Sequence, residues 1–391
     1  MQIRQLTANE MEERIALSEF AFQKGLSEEE AKEYKASFRP EEHWGAFGED
    51  GKLMSGLHLI PFEMRAGRTL LKMGGIASVA TWPEARRYGC VTKLLGQALV
   101  TMREQGQTVS MLHPFSFPFY RKFGWEMTVE RKMYVIAQSQ LPKRSEVSGK
   151  IVRAAKEADA FNDLYDRFAM GRVGMLKRSP EWWRSKVFSK PGLAAIWQNA
   201  SSEPEGYILY EVSGGTFAVH EWVALTEEAR RGLWQFAANH DSMADKVTMT
   251  VPADDESPFL FADPRFKQEV VPYFMSRIVD AEGFVSLLPF APGAGNESLR
   301  LALRDEFAPW NDGVFRIEWD AEGAARMRRE EEAAVRSDGV ACDIQTLTAM
   351  LLGNRRPADL ERWGRLRGDA ERIELLERRV PEHRPYLADF F

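Results

Sequence analysis

The chain has 391 residues and a formal charge of −6, because 52 Lys and Arg residues stand against 58 Asp and Glu residues. This mild acidity argues against a general nucleic-acid-binding protein, which usually carries a basic surface. The hydrophobic share of 44% and the aromatic share of 11% suffice for packed cores and exclude a disordered chain. At ~100–200 residues per domain, the length predicts about two to four domains.

Several further classes are excluded by pattern. No stretch approaches the ~18 consecutive apolar residues of a membrane span, and the first residues, Met1 to Leu6, lack the apolar region of a signal peptide. Cys90 and Cys342 lie far apart and outside any Cys-x-x-Cys pattern, and the six histidines show no His-Glu-x-x-His spacing. We therefore expect a cytoplasmic protein that does not bind membranes and has neither a disulfide nor a metal site.

In chain order, the first region alternates between strands and helices. Ser27, with Glu30 three residues later, has the form of a capping box, and the Asp50-Gly51 turn between two extended runs indicates a hairpin. The predicted elements are a strand at 3–6, helices at 10–22 and 27–38, strands at 43–47, 53–62, 69–73 and 75–81, a helix at 90–104, a strand at 108–112, a short helical segment at 116–123 and a strand at 127–136.

The polar stretch Leu141–Lys150 predicts a linker to a second α/β region. That region has predicted helices at 157–169 and 226–240 and predicted strands at 194–198, 206–212, 216–224 and 246–251. A third region begins at 279–290 and is marked off by the Gly- and Pro-containing run 291–295. It has predicted strands at 299–304 and 313–319 and helices near 343–352, 358–365 and 369–379.

Residues 75–91 carry the strongest chemical signal. A buried strand ends, the turn Pro83-Glu84-Ala85-Arg86-Arg87-Tyr88-Gly89 follows, and a helix begins at Cys90. Free backbone N–H groups at a helix N-terminus form an anion site, and Gly89 permits close approach of a ligand to the backbone. Arg86 and Arg87 add positive charge suited to a diphosphate. The alternative is an ordinary strand–turn–helix connection with solvated arginines.

A second signal lies in the aromatic segment that begins at His113. A strand runs into Phe115-Ser116-Phe117-Pro118-Phe119-Tyr120, and a Gly-Trp turn then leads into the next strand. Tyr120 is a candidate proton donor because a phenol can protonate a departing thiolate. The alternative is a tyrosine that belongs to the core.

Taken together, the two stretches resemble the GNAT acyltransferase family. In that family an Arg-x-x-Gly-x-Gly/Ala turn binds the pyrophosphate of acetyl-CoA, and a tyrosine after the fifth strand acts as general acid. Arg86, Gly89 and Val91 occupy the three motif positions here, and Val91 departs from the usual Gly or Ala. The resemblance implies acetyl-CoA as cofactor, held by eight residues: Val79, Ala80, Thr81, Arg86, Arg87, Gly89, Cys90 and Val91.

More narrowly, the whole chain resembles the Eis (enhanced intracellular survival) proteins. Its length, the linker near 145, the Ser276–Asp280 segment that opens the third region and the aromatic terminus Phe390-Phe391 match their layout. The resemblance implies an α/β (α+β) protein with tandem GNAT folds, mixed twisted sheets flanked by helices, and a final sterol-carrier-like α/β domain. The domains are predicted at 1–145 for the cofactor-binding GNAT domain, 146–280 for a central GNAT-like domain and 281–391 for the sterol-carrier-like domain.

The central region contains an internal echo of the cofactor motif. Val223 to Gly232 parallels Val79 to Gly89 with one residue missing, so Ala229 stands where the first arginine of Arg-x-x-Gly belongs. The Phe-Tyr segment has no counterpart. We interpret the region as a second GNAT-like fold with a degraded cofactor site; chance similarity of two strand–helix joints is the alternative.

The resemblance also implies a mechanism and partners. Acetyl passes directly from acetyl-CoA to an amine, with the C-terminal carboxylate of Phe391 as base and Tyr120 as acid. The acceptors are amines of polycationic compounds such as aminoglycosides, or lysine amines, and Trp44, Asp389 and Phe390 are candidate walls of the acceptor cleft. A trimer or hexamer is implied, and no nucleic-acid or membrane partner. The alternatives are an acetyl-CoA-binding sensor and a lipid carrier, neither of which transfers acetyl.

Overall fold

The computed structural model describes residues 1–23, 25, 27–142, 146–330 and 339–391. The strands are β1 (Gln2–Gln5), β2 (His43–Phe47), β3 (Leu53–Ala66), β4 (Thr69–Thr81), β5 (Val109–Leu112), β6 (Glu126–Ala137), β7 (Lys150–Ala154), β8 (Val173–Leu176), β9 (Leu193–Gln198), β10 (Pro204–Ser213), β11 (Thr216–Ala224), β12 (Lys246–Pro252), β13 (Lys267–Ile278), β14 (Glu297–Arg304), β15 (Gly313–Trp319), β16 (Ala325–Arg329) and β17 (Val340–Asp343). The α-helices are α1 (Met11–Phe22), α2 (Glu28–Ser37), α3 (Cys90–Glu104), α4 (Phe117–Arg121), α5 (Ala158–Ala169), α6 (Pro180–Trp182), α7 (Glu227–Ala238), α8 (Ala281–Leu287), α9 (Ile344–Leu351), α10 (Pro357–Arg362) and α11 (Ala370–Arg379).

The predicted local signals of the first region are confirmed. Ser27 caps α2 and accepts a hydrogen bond from the Glu30 amide, which completes the capping box. β2 and β3 form the hairpin around Gly51, and α3 spans the residues that the apolar periodicity predicted. The predicted linker 141–150 includes residues 143–145, which lie outside the described residues.

One continuous mixed sheet connects the first two regions of the chain. Its strand order is β1-β2-β3-β4-β5-β13-β6-β12-β11-β10-β9-β7, and β8 pairs with β3 off this path. Neighbours are mostly antiparallel, but β4 pairs with β5 and β11 pairs with β12 in parallel. Each parallel pair marks one GNAT-like half of the sheet.

Strand β13 joins the two halves. It belongs to the part of the chain predicted as the central domain, yet it lies between β5 and β6 of the first region and pairs antiparallel with both. Its backbone therefore supplies hydrogen bonds that the first region's own strands leave open.

The third region packs on one face of the first. Its four-stranded sheet, β16-β15-β14-β17, and helices α8 to α11 share one hydrophobic core with Met73, Val109 and Met111 of β4 and β5. On the opposite face of the sheet, Leu59 of β3, Ile76 of β4 and Leu112 of β5 pack with α3. No helix within the described residues is long and apolar enough to cross a bilayer.

Candidate functional site

A notch opens between β4 and β5 in the first region. The two strands pair only from Met73 with Val109 to Ile76 with Leu112. β5 ends there, whereas β4 continues to Thr81. Beyond Ile76, the edge of β4 that faces β5 has no strand partner among the described residues. The free edge carries three of the predicted cofactor residues: Val79, Ala80 and Thr81.

A bulge in β4 shapes this edge. The pairing of β3 with β4 shifts register between Gly56 and His58, and Ser78 adopts φ 50°, in the left-handed region that few non-glycine residues visit. Arg14 of α1 donates a hydrogen bond from Nη2 to the Ser78 carbonyl at 2.7 Å. The sequence analysis missed Arg14, although a charged residue within an apolar helix stripe was a readable signal.

Arg14 is buried without a carboxylate among the residues described. It is 1% exposed, and its Nε and Nη1 atoms have no hydrogen-bond partner in that part of the chain. Burial lowers the pKa of Arg14. The guanidinium therefore supports the bulge by its one bond to Ser78.

The N-terminus of α3 lies directly after this edge and has no side-chain cap. Gly89 is its N-cap residue, with φ +77°, and a Cβ there would meet open space. Arg86 and Arg87 are exposed, and neither forms an ion pair within the described ranges. The first N–H groups of the helix and these two guanidinium groups are the kinds of donor that suit an anion.

Cys90 begins α3 but offers no thiolate. Its side chain is buried, and its Sγ lies 3.7 Å from the Ala85 carbonyl, to which it donates. Burial raises the pKa of the Cys90 thiol. The predicted role of Cys90 therefore depends on its backbone N–H.

Tyr120 lies on α4, just beyond the end of β5. It is 3% exposed, and its ring packs edge-on against Phe119 and Trp125. Burial raises the pKa of Tyr120 to about 12. No group in the described part of the chain hydrogen-bonds to its hydroxyl, so the phenol keeps its proton at neutral pH and is free to donate it.

The chain's last residue lies at the start of the notch, on the face opposite α3. The ring of Phe391 packs against Phe62 of β3 and Phe274 of β13, with centroids 4.8 and 4.9 Å away. It also lies over Gly75 of β4, where a Cβ would come within 2.9 Å of Phe391 Cε2 and 2.7 Å of Phe62 Cε2. Gly75 therefore permits the close approach of the C-terminus to the sheet.

Phe390 and His113 border the same opening. Phe390 is 60% exposed, and its ring stands edge-on to the imidazole of His113, with centroids 5.0 Å apart. His113 follows the last residue of β5, and burial together with Arg131 lowers its pKa, so the ring is neutral at pH 7. The sequence analysis gave His113 no role, although its place at a strand end beside Pro114 was visible.

Two predicted cleft residues lie elsewhere. Trp44 pairs with Leu57 and joins the hydrophobic cluster on the α3 face, because side chains of paired residues point to the same side of a sheet. Asp389 is buried and is committed to Arg178, whose Nε lies 2.9 Å from Asp389 Oδ1. Neither side chain lines the opening in front of Phe391.

The central region repeats the fold of this site without its anion-binding end. β11 pairs with β12 in parallel over four residue pairs, as β4 does with β5, and α7 follows. The Thr226 side chain caps α7 by accepting from the Ala229 amide at 3.1 Å. Glu227 and Glu228 occupy the first turn, and Glu227 pairs with Arg230 and Arg231. An anion would meet two carboxylates there.

Comparison with known protein families agrees with this layout. The acetyltransferase (GNAT) domain pattern matches residues 2–128, and a second acetyltransferase (GNAT) domain pattern matches residues 174–278. A sterol carrier protein domain pattern matches residues 281–388. This chain is a GNAT-type acetyltransferase. It has the Eis-like arrangement of two GNAT domains followed by a sterol carrier domain.

Relatives of this acetyltransferase share the arrangement over most of their length. An N-acetyltransferase of Streptomyces avermitilis is 24% identical over 374 residues, which cover 88% of this chain and 87% of the relative. A solved structure from Enterococcus faecalis, a probable N-acyltransferase, is 29% identical, covers 100% of this chain and 99% of its own, and superposes with a TM-score of 0.92. Eis1 from Mycobacterium abscessus has the same fold, with 21% identity, full coverage of both chains and a TM-score of 0.81.

Proposed function

We propose that this GNAT acetyltransferase transfers acetyl from acetyl-CoA directly to a primary amine bound in the opening before Phe391. One observation carries the proposal: the open edge of β4 leads through the turn at 82–89 to an uncapped helix N-terminus, while a protonated, buried tyrosine lies on the other side of the notch. The open edge of β4 suits the pantetheine arm of acetyl-CoA, and the helix N-terminus suits its diphosphate. The tyrosine suits the thiolate that leaves after transfer.

The residues present fit acetyl-CoA. The β4 edge at Val79–Thr81 would pair with the pantetheine arm, and the N–H groups of Cys90 and Val91 would bind the diphosphate together with Arg86 and Arg87. Gly89 leaves room for that approach. The bound cofactor supplies a thioester whose carbonyl carbon accepts the amine.

The chain's own groups would then manage charge and protons. The Phe391 carboxylate takes a proton from the acceptor ammonium, and the Val79 N–H stabilises the charge that develops on the carbonyl oxygen. The C–N bond would then form and the C–S bond would break, with Tyr120 giving its proton to the leaving sulfur. The second proton that the nitrogen must lose to become an amide would restore the phenol of Tyr120. The neutral imidazole of His113 is a second candidate base at the same opening, and replacing His113 separates its contribution to proton transfer from that of the Phe391 carboxylate.

The acceptor class follows from the border of the opening. An exposed aromatic ring, Phe390, suits cations through cation–π contact, and the net charge of −6 favours cationic partners. We propose polycationic amines such as aminoglycosides, or lysine side chains. The third domain buries its apolar side chains in one core shared with the first, which favours a supporting role over lipid carriage.

The test is CoA release from acetyl-CoA, followed with a thiol reagent, in the presence of aminoglycosides, polyamines or lysine peptides. Release that depends on one amine class supports the proposal and names the acceptor. Tight acetyl-CoA binding without release for any of the amines favours the sensor. Absence of acetyl-CoA binding contradicts the assignment of the notch, and an apolar ligand that co-purifies with the protein then favours the carrier.

A further inference from the structure

The C-terminal tail, defined as residues 380–391 after α11, crosses the central domain before it reaches the first. The Tyr386 amide donates to the Val173 carbonyl of β8 at 2.8 Å. Arg131 of β6 donates to the Leu387 carbonyl, with its Nε at 3.0 Å. Gly174 has φ +100°, and a Cβ there would lie 3.1 Å from the Tyr386 carbonyl oxygen. The tail is therefore held by its backbone along the junction of the two GNAT domains.

Asp389 adds a buried charged anchor two residues before the C-terminus. Arg178, directly after β8, donates from Nε to both carboxylate oxygens of Asp389, at 2.9 and 3.2 Å. Trp182 Nε1 donates to Oδ1 at 2.8 Å, and the Tyr165 hydroxyl lies 3.3 Å from Oδ2. The side chains of Arg178 and Asp389 are 1% and 2% exposed. Both oxygens of this carboxylate therefore accept hydrogen bonds from side chains of the central domain.

The same arginine is fixed on its other side. Its two terminal nitrogens donate to Glu221 of β11 at 2.8 and 2.6 Å, and the Tyr207 hydroxyl donates to the same carboxylate. The guanidinium stacks on Tyr165, 3.9 Å from the ring centre. Burial acts to lower the pKa of Arg178, but the two carboxylates outweigh it and raise that pKa. Arg178 is thus a charged bridge between β11 and the tail.

Beyond Asp389 the chain has two residues left, and their positions follow from the anchor. The Asp389 carbonyl accepts from the Tyr273 hydroxyl at 2.8 Å, which directs the backbone toward β13. The Phe391 ring then lies between Phe62 and Phe274 over Gly75. Two residues span about 7 Å when extended, so a shift at Asp389 is passed on to the terminal carboxylate.

We propose that Arg178 is a positioning residue for acetyl transfer, and that the central domain's contribution to the reaction is to hold the tail through the Arg178–Asp389 pair. This inference rests on the proposed role of the Phe391 carboxylate as the base. The central domain, whose α7 N-terminus is unsuited to anions, would thus contribute to acetyl transfer by positioning the tail, without binding a cofactor of its own.

The test uses full-length protein and the acceptor that supports CoA release. Asp389→Asn keeps the shape of the side chain and removes its charge. We expect kcat to fall by about 10²-fold, since a displacement near 1 Å at a catalytic group has that effect. The KM for acetyl-CoA should stay within a factor of about two, because the proposed diphosphate site at α3 lies on the opposite face of the sheet from Phe391. Arg178→Lys retains the charge without the two-sided fork and should lie between wild type and Asp389→Asn.

A matched control separates positioning from stability. Glu297→Gln removes the charge that pairs with Arg379, whose side chain is 1% exposed, in the third domain. It should lower the unfolding temperature without changing kcat. Equal kcat losses in Glu297→Gln and Asp389→Asn would overturn the proposal, as would full kcat in folded Asp389→Asn or Arg178→Lys. If Asp389→Asn does not fold, the kcat of Arg178→Lys alone tests the proposal, and a wild-type kcat in that variant overturns it.

A second chain, extended by two glycines after Phe391, distinguishes this proposal from the one it rests on. If the extension leaves kcat intact, the Phe391 carboxylate is not the base, and the proposed mechanism fails first. If the extension abolishes most of kcat while Asp389→Asn does not, only the positioning role fails. If both lower kcat, combining them should cost no more than the extension alone, because both act through one group.

Discussion

The two GNAT domains have the same parallel strand pair joined through a helix, but the two helices begin differently: α3 has neither a side-chain cap nor an acidic first turn, and α7 has both. At α3 the N-cap is Gly89, and the adjacent arginines, Arg86 and Arg87, are free of ion pairs among the described residues. At α7 the side chain of Thr226 caps the helix N-terminus, and Glu227 forms ion pairs with Arg230 and Arg231. The comparison teaches that capping a helix N-terminus and adding carboxylates to its first turn make that end unsuited to an anion without any change of fold.

The largest expected effect concerns a residue that the central domain lacks altogether. Tyr120→Phe removes the proton donor and should lower kcat by about 10²-fold or more, with the KM for acetyl-CoA nearly unchanged. Steady-state CoA release measures both constants. Tyr210→Phe, in a buried tyrosine of the central domain, is the control. Equal kcat in wild type and Tyr120→Phe would remove Tyr120 from the acid role.

The next effect tests the arginines directly. Replacing Arg86 and Arg87 together by Gln should raise the KM for acetyl-CoA by roughly tenfold per arginine, because charge-assisted hydrogen bonds to the diphosphate are lost. The same double change at Arg230 and Arg231 should leave KM as it is. A comparable rise in both variants would show that net charge, and not the α3 site, determines binding.

One substitution at an exposed residue can give α3 an acidic first turn like that of α7. Thr92→Glu puts a carboxylate into the first turn of α3, where an acidic residue favours the helix but repels a diphosphate. We expect about a tenfold higher dissociation constant for acetyl-CoA, measured calorimetrically at low salt, and unchanged or higher thermal stability. Thr92→Gln is the neutral control. Unchanged affinity in Thr92→Glu would contradict diphosphate binding at this end.

The smallest effect concerns stability. In the central domain the buried Arg178 and Glu221 form an ion pair, whereas in the first domain the buried His43 has no partner for its Nδ1 among the residues that the structure describes. Burial, with His58 and Arg14, lowers the pKa of His43 from 6.5 to about 2. The unfolded chain therefore binds a proton in this interval that the folded chain does not, so stability is full above pH 6.5 and falls below it.

Between pH 7.5 and pH 5 this group should lower the free energy of unfolding by about 2 kcal/mol. Urea unfolding at both pH values measures the difference, and His43→Phe should remove that part of it. The same pH dependence in the variant and the wild type would show that other groups cause it.

Local features of this fold were open to prediction, and long-range ones were not. Cys90–Glu104 was predicted correctly because its apolar periodicity is sustained and Gly106 ends it. β13 was missed because its first half is exposed and contains Pro272, which is unusual within a sheet. Val91, Gly89 and Tyr120 were selected from motif spacing, and their roles in binding and catalysis stay predictions. Trp44, a predicted wall of the acceptor cleft, packs on the α3 face, because its pairing register decides the direction of its side chain and only the tertiary structure fixes that register.

The charged anchor of the tail illustrates the same limit. Arg178 and Asp389 are separated by 211 positions, and neither belongs to a motif. Asp389 was predicted as a wall of the acceptor cleft because an acidic group there would suit a cationic amine. Only the tertiary structure shows that its carboxylate is buried against Arg178 and Trp182.

The place of β13 has a consequence for how the protein is made. The sheet of the first domain has a gap between β5 and β6 until residues 267–278 are synthesised and inserted there. The N-terminal domain of a nascent chain usually folds first, as a unit. Here the first domain must wait on the ribosome with an unpaired sheet interior until most of the second is complete, and slow non-local pairing of this kind exposes strand edges to aggregation. Expression of the first 145 residues alone should therefore yield insoluble protein, whatever the quality of its cofactor motif.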